Sequence, residues 1–448
     1  MRYKDGEKMK FLTNKDRLVF LIISLLTRFL LDIIYIIYIV EKWAYQSFYI
    51  NIDYYKIIIS YLALIGLLSI IVAHNKKKIS HLILIILFFT SYLPMGTIYA
   101  FANQNNIFFF MTNIIFYLIS GFIIIIKDKY SYDSIDSPIL SKLYIPLVLI
   151  SCFTFVVMTI QNISNVNLEN VLNLKNVYDI RKGVYYRWGM SYFFSWQTKV
   201  INPYLIAFFH SNDNRNLKWV YIFFQFWLYV LTGHKIVLFT LVIIIIVLMM
   251  TEVLENIMSF FSKGILLLVV GSVIEILMRG NSIIIDYVIR RVFFIPSLLN
   301  YYYYDYFNSR DFQWWKYTFI GRILNVNTDF KVLPSFIIGE KYFNNINNNA
   351  VTGFLASEYM NGGFFGMLMS VLIIIIILKT FDYLSYKVGL KITLLTVFTP
   401  LYTIWNSSLS TALITGGIML SVLLLATTSK NIKPSNSINY SLIKTEEK

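Results

Sequence analysis

The chain has 448 residues, of which 57% are apolar and only 14% are charged. Soluble domains hold roughly 45–50% apolar and about 25% charged residues, so a soluble globular chain and a disordered one are both excluded. The net charge of +15 would raise nucleic acid as a partner in a soluble protein, but here the positive-inside rule explains it first and no nucleic-acid partner is expected.

The N-terminal segment is basic (Arg2, Lys4, Lys8, Lys10, Lys15, Arg17) and leads into a long apolar run without a small-residue cleavage site. That run reads as an anchor and not as a secretory signal. Segments apolar enough to cross a bilayer follow at 18–40, 57–73, 82–101, 107–126, 143–160, 195–210, 219–232, 236–251, 264–278, 351–378, 392–405 and 411–427. The expected fold class is an all-α polytopic membrane protein with about 12 transmembrane helices, forming one multi-pass domain over 1–448. The single cysteine, Cys152, falls inside a span, excludes an intrachain disulfide, and reads as a buried small hydrophobe.

The connecting segments alternate between two sides. Those at 1–17, 74–81, 127–142, 211–218, 251–263, 379–391 and 428–448 carry 22 Lys and Arg; those at 41–56, 102–106, 161–194, 233–235, 279–350 and 406–410 carry 15. Twelve of the 15 sit in the two long loops, 161–194 and 279–350, which count little in the rule. Both termini, including the tail 428–448, are therefore expected inside and both long loops outside. A structureless loop of that length is uncommon, so 279–350 is expected to form short amphipathic helices packed on the membrane domain.

The motifs of soluble enzymes GxxxxGK[ST], HExxH and GxSxG are missing, and His74, His81, His210 and His234 share no ligand spacing, so no metal site is expected. The cluster Gly362, Gly363 and Gly366 reads as close helix packing. Arg28 and Asp32, four apart, share one helix face inside the first span, where a mutual pair lowers the cost of charge in hydrocarbon. They read as a structural pair.

Both long loops are net positive against the positive-inside trend. The first carries Lys175, Arg181, Lys182 and Arg187; the second carries Arg279, Arg290, Arg291, Arg310, Lys316, Arg322, Lys331 and Lys341. Guanidinium forks match phosphate oxygens, so an outer partner bearing phosphate would account for them; solvated loop charge and lipid headgroups are the plainer account. Arg290 and Arg291, beside Pro296, stand out. Aromatic residues crowd the same loops: Tyr185, Tyr186, Trp188, Trp196, Tyr301–Tyr304, Tyr306, Trp314 and Trp315. An interfacial belt explains them, and aromatic faces beside Asn, Asp and Arg also suit a sugar chain. The Asn344–Asn349 run fits either loop polarity or sugar binding.

With those residues in view the chain resembles the Wzy family of oligosaccharide repeat-unit polymerases of O-antigen and capsule assembly. The resemblance rests on Arg28 and Asp32, on Gly233-His234-Lys235, on Arg290-Arg291 through Pro296 to Tyr301–Phe307, and on Gly339–Phe343 followed by Asn349, Gly353, Tyr359, Gly362, Gly363 and Gly366. It implies a GT-C-type, metal-independent glycosyltransferase without cofactor in the bacterial inner membrane. Its substrate would be an undecaprenyl-pyrophosphate-linked oligosaccharide, joined to a second repeat unit at the periplasmic face. Besides the lipid bilayer, a chain-length regulator and a repeat-unit flippase are candidate partners. By the resemblance, the essential loop arginines fall on Arg181 or Arg187 and on Arg290 and Arg291.

The chemistry of that reaction assigns further roles. Cations stabilise charge growing on the pyrophosphate leaving group. A base must take the acceptor hydroxyl's proton; Asp286, Asp305, His234, Glu340 and Glu358 qualify, with Asp305 preferred for its place in the tyrosine-rich stretch. The catalytic set is then Arg290, Arg291 and Asp305. Substrate binding falls to Arg181, Arg187, Lys235, Arg310, Tyr303, Tyr304 and Trp315. A lipid-linked oligosaccharide flippase and an O-antigen ligase are the rival readings.

Overall fold

A computed structural model describes residues 14–73, 78–126, 138–166, 180–181, 183–187, 189–250 and 253–430. The described chain is mostly helical; its one sheet pairs two short strands, Ile139–Ser141 and Thr428–Lys430, antiparallel. Eight helices are long and apolar enough to cross a membrane: Asp16–Lys42, Tyr54–Ala73, Ile79–Phe101, Asn106–Ile125, Tyr144–Asn162, Ser259–Arg279, Phe354–Val388 and Leu409–Ala426. Lys235–Met249 and Leu390–Trp405 are shorter apolar helices. A helix closes its own backbone hydrogen bonds, which hydrocarbon cannot do for it.

Rows of bare apolar side chains mark the lipid faces. Ile58, Leu62 and Ile65 on one helix, and Leu149, Phe153, Val156 and Ile160 on another, are exposed at three- and four-residue spacing. In water such stripes would drive aggregation. Cys152 lies on the exposed side of its helix, so it is not the buried small residue expected. Apolar sequence alone does not distinguish a lipid face from a protein core.

The chain divides into two compact units: Met1–Tyr130 with Ile245–Tyr383 and Val397–Leu420, and Ser131–Ile244 with Leu384–Thr396 and Ser421–Lys448. The sequence suggested one domain. At the centre of the first unit, every residue of the Ile79–Phe101 span is buried. Gly96 lets a neighbour approach closely, since a Cβ there would lie 2.3 Å from the Arg28 guanidinium. In the second unit a buried polar node ties helices together: Asn202 donates to Gln225 Oε1 (3.0 Å), and Gln225 Nε2 donates to the carbonyls of Thr198 (3.0 Å) and Val237 (3.2 Å). The strand Thr428–Lys430 occupies the start of the segment read as tail; residues 431–448 lie outside the described residues.

The 279–350 segment holds short helices, and the longest of them is buried on nearly every side. A π-helical stretch, Ile285–Phe294, runs directly into the Ile295–Phe307 helix, with Pro296 in the first turn, where no backbone N–H is needed. Almost all of Ile295–Phe307 is buried. After the short helix Phe319–Ile323, a further helix, Pro334–Phe343, ends on Asn344 in the left-handed conformation (φ 50°). The asparagine run turns the chain: Asn347 N–H donates to Asn345 Oδ1 at 3.0 Å, and Asn348 crosses so close that Gly339 has no room for a side chain.

The long helix Phe354–Val388 is broken at Gly362 and Gly363, the latter at φ 59° and ψ −147°. Freed carbonyls at the break are taken up by the 311–318 loop: Gln313 N–H donates to Met360 O and Trp314 N–H to Asn361 O, both at 2.9 Å. A Cβ on Gly363 would lie 2.6 Å from the Phe312 ring. The glycine pair therefore makes a break that seats a loop, a more specific role than helix packing.

Candidate functional site

Residues of the first unit line a cleft of about 650 Å³, polar and aromatic in character. Its walls come from Ser47 and Tyr49, from Lys56, from Asn103–Asn106, and from Tyr301, Tyr302, Tyr304, Asp305 and Tyr342. These residues lie on segments that charge counting assigns to one and the same side: 41–56, 102–106 and 279–350.

Asp305 is exposed near the end of the Ile295–Phe307 helix, and the Tyr342 hydroxyl donates to its Oδ2. Burial, and then the Asp305 carboxylate, push the Tyr342 phenol far above its ordinary value, so it stays protonated and acts as donor. Tyr342 stacks on Tyr302 with ring centroids 4.3 Å apart and planes 7° from parallel. The Tyr302 hydroxyl donates to Ser47 O at 2.6 Å, and the Ser47 hydroxyl donates to Tyr342 O. Elsewhere in the lining Lys56 Nζ donates to Gln104 O (2.6 Å) and Gln104 Nε2 to Tyr49 Oη (2.9 Å). Such a cleft offers donors, acceptors, flat ring faces and one carboxylate. It can hold a polyol and accept its proton.

The other expected residues fall in several places. Arg290 is 2% exposed. Its guanidinium lies 3.5 Å from the centroid of Trp43 and donates to Gln46 Oε1 and to Asp286 O (3.1 Å). A residue without a visible packing role in the sequence is thus a packing residue, and its buried position takes it away from a substrate. Arg291, next in the chain, is exposed. Asp286 is committed elsewhere, accepting from Lys42 Nζ (2.8 Å), Trp43 Nε1 (2.9 Å) and Tyr38 Oη (3.2 Å). Arg310, exposed, folds over the Tyr306 ring at 3.9 Å.

Of the expected aromatic contacts, Tyr304 lines the cleft and Tyr303 does not. Tyr303 is buried, and its hydroxyl donates to Ala350 O at 3.0 Å. Trp315 donates its indole N–H to Glu358 at 2.7 Å beside the helix break, which buries that carboxylate to 3% exposure.

Arg28 and Asp32 form a buried ion pair, Nε to Oδ1 at 2.8 Å. Asp32 also accepts from Thr97 (2.6 Å) and Tyr61 (2.7 Å), and Arg28 donates to Ser60 (3.1 Å).

In the second unit Arg181 and Arg187 are exposed, Arg187 lying over the Tyr185 ring at 5.1 Å, and Lys235 is half-buried. His234 sits 3.0 Å from the Tyr186 hydroxyl through Nε2. Burial first, and then the charges of Arg181 and Lys199, push its pKa down to about 4. Lys175, Lys182, Trp188 and His74 lie outside the described residues. A shallow hollow of about 500 Å³ at Asn212–Asn216 holds the highly exposed Asp213 and Arg215 and no buried polar group.

Sequence reasoning named Asp305 and Tyr304 and grouped Tyr301 and Tyr302 with aromatics suited to a sugar chain, but gave no role to Tyr342, Tyr49, Lys56 or Gln104. The available signal was the common side of their segments. Among the described residues, no three His, Cys, Asp or Glu side chains gather where they could hold a metal ion. No protein-family model matches the chain, and no curated protein or solved structure is found similar to it.

Proposed function

We propose that this protein is a membrane glycosyltransferase that joins undecaprenyl-pyrophosphate-linked oligosaccharide repeat units into O-antigen or capsular polysaccharide at the periplasmic face. One observation carries the reading: Asp305 presents its carboxylate at a polar and aromatic cleft built from three connecting segments of one predicted side. In this proposal the helices 190–211 and Arg215–Thr232 join the ten apolar ones, giving twelve crossings of a GT-C-like bundle with both termini in the cytoplasm.

Asp305 accepts the proton of the acceptor sugar's hydroxyl as that oxygen attacks the anomeric carbon of the donor glycan. The bond from that carbon to the pyrophosphate oxygen breaks with its electron pair, and lipid pyrophosphate leaves as an anion. Exposed guanidiniums, Arg291 and Arg310 in this unit, are the candidates to stabilise that charge. The test supplies purified protein with lipid-linked repeat units. A ladder of products, lost in Asp305→Asn, supports polymerisation. Transfer to a separate acceptor lipid alone would make the protein a ligase.

The transporter reading has one observation in its favour, the broken Phe354–Val388 helix with its buried Glu358. Broken helices and intramembrane acids recur at transport sites. In proteoliposomes, leaflet exchange of the lipid-linked glycan without a ladder would establish it.

A further inference from the structure

From the Tyr342–Asp305 contact we infer that Tyr342 is a positioning residue, which fixes the Asp305 carboxylate so that one oxygen faces the cleft as proton acceptor. The inference rests on the proposed role of Asp305 and adds to it Tyr342, a residue of the Gly339–Phe343 stretch to which the sequence assigned no role of its own.

An exposed aspartate near the end of a helix turns freely about its side-chain bonds, and a base that turns freely is out of line most of the time. Tyr342 is not free. Its ring is held by the stack on Tyr302, its carbonyl by the Ser47 hydroxyl, and its helix is capped by Asn344 two residues on. Tyr302 is itself tied to Ser47 O at 2.6 Å. The Tyr342 hydroxyl is thus a fixed donor, and it occupies Oδ2 of Asp305. Among the described residues no side-chain hydroxyl is seen to donate to Oδ1, which is the oxygen left for an acceptor hydroxyl. Two proton donors on one carboxylate, one permanent and one belonging to the substrate, define a direction of attack that a lone aspartate does not.

The ring and the hydroxyl separate in experiment. Tyr342→Phe keeps the stack and removes only the donor; Tyr342→Leu removes both. If Tyr342 positions Asp305, the Phe variant loses roughly 10–100-fold in kcat, as a misplaced catalytic group does, with KM within about twofold of wild type. The Leu variant then has a similar kcat. If Tyr342 only packs, the Phe variant runs at the wild-type kcat and the Leu variant alone fails; that result overturns the inference and leaves the polymerase reading standing. Wild-type turnover in Asp305→Asn would overturn both. Protein amount and melting temperature in detergent, measured for each variant, keep a folding defect from being counted as a kinetic one.

Discussion

Arg290 stacks on Trp43, its guanidinium 3.5 Å from the ring centroid, while Arg291 beside it is exposed. Adjacent residues on a helix point roughly a quarter turn apart, so two neighbouring arginines cannot share one environment. Desolvated cation–π contacts contribute about 2 kcal/mol or more, and the hydrogen bonds to Gln46 and Asp286 add to that. Arg290→Ala should therefore lower the melting temperature and the amount of protein in the membrane. Arg290→Lys should recover little, because lysine lacks the planar fork. Arg291→Ala should leave folded protein at normal levels and reduce polymer at least tenfold. Immunoblots of membranes beside glycan ladders check both. A normal ladder in Arg291→Ala would remove Arg291 from the mechanism.

The Arg28–Asp32 pair supports the first unit from inside. Removing one member of a buried pair leaves the other charge uncompensated and costs about 3–5 kcal/mol. Arg28→Ala strands Asp32 with the neutral donors Thr97 and Tyr61. Gly96→Ala should act on the same contact from the other side, since the new methyl meets the guanidinium. Both variants should melt well below wild type in detergent. An Arg28→Ala protein as stable as wild type, but inactive, would instead place Arg28 at the substrate.

What was legible in the sequence follows physical locality. Apolar runs located the helices because hydrocarbon demands an uninterrupted apolar stretch. The Arg28–Asp32 pair was legible because four residues make about one helical turn. Four consecutive tyrosines, Tyr301–Tyr304, read as an interfacial belt, yet on a helix they point in all directions, and all four are buried. The cleft was not legible as a set, because Tyr49, Gln104, Asp305 and Tyr342 are brought together only by tertiary packing. Arg290 misled for a related reason: its partner Trp43 lies in another connecting segment.

His234 should make stability depend on pH. Its folded pKa, about 4, lies below the ordinary value of 6.5. Above 6.5 the ring is neutral in both folded and unfolded chains, and its full contribution is present. As pH falls from 6.5 to 4 the unfolded chain takes up the proton first, so stability is lost across that window. Melting temperatures from pH 7.5 to 4.5 should fall more steeply for wild type than for His234→Gln. Parallel curves would mean that His234 is accessible to protons in the folded protein.

Orientation is testable at two positions. In a Cys152→Ser background, a cysteine at Asn347 should react with a membrane-impermeant maleimide once the outer membrane is opened. One at Ser435 should react only after the inner membrane is breached. The cation count, 22 against 15, motivates this orientation, and so does the gathering of same-side segments around the cleft. The reverse labelling pattern would put the cleft in the cytoplasm and end the periplasmic polymerase reading.

Catalysis should proceed without a divalent metal. Hard cations such as Mg²⁺ take clustered oxygen ligands, and glycosyltransferases that use them present paired carboxylates to the pyrophosphate. Here the acids of the second long segment are dispersed and partly committed: Asp286 to Lys42 and Trp43, Asp329 to Lys316 at 2.8 Å, and Asp305 to Tyr342. Cations outnumber acids in that segment by eight to five. A net positive surround attracts pyrophosphate and repels Mg²⁺, so guanidiniums can supply the charge that a metal would otherwise bring. Purified protein stripped with EDTA and given lipid-linked repeat units should elongate them at an undiminished rate, while raised salt should slow it by screening the exposed arginines. If EDTA stops elongation and Mg²⁺ or Mn²⁺ restores it, the arginine mechanism is wrong, and Asp305 with at least one further carboxylate must come together around an ion when substrate binds.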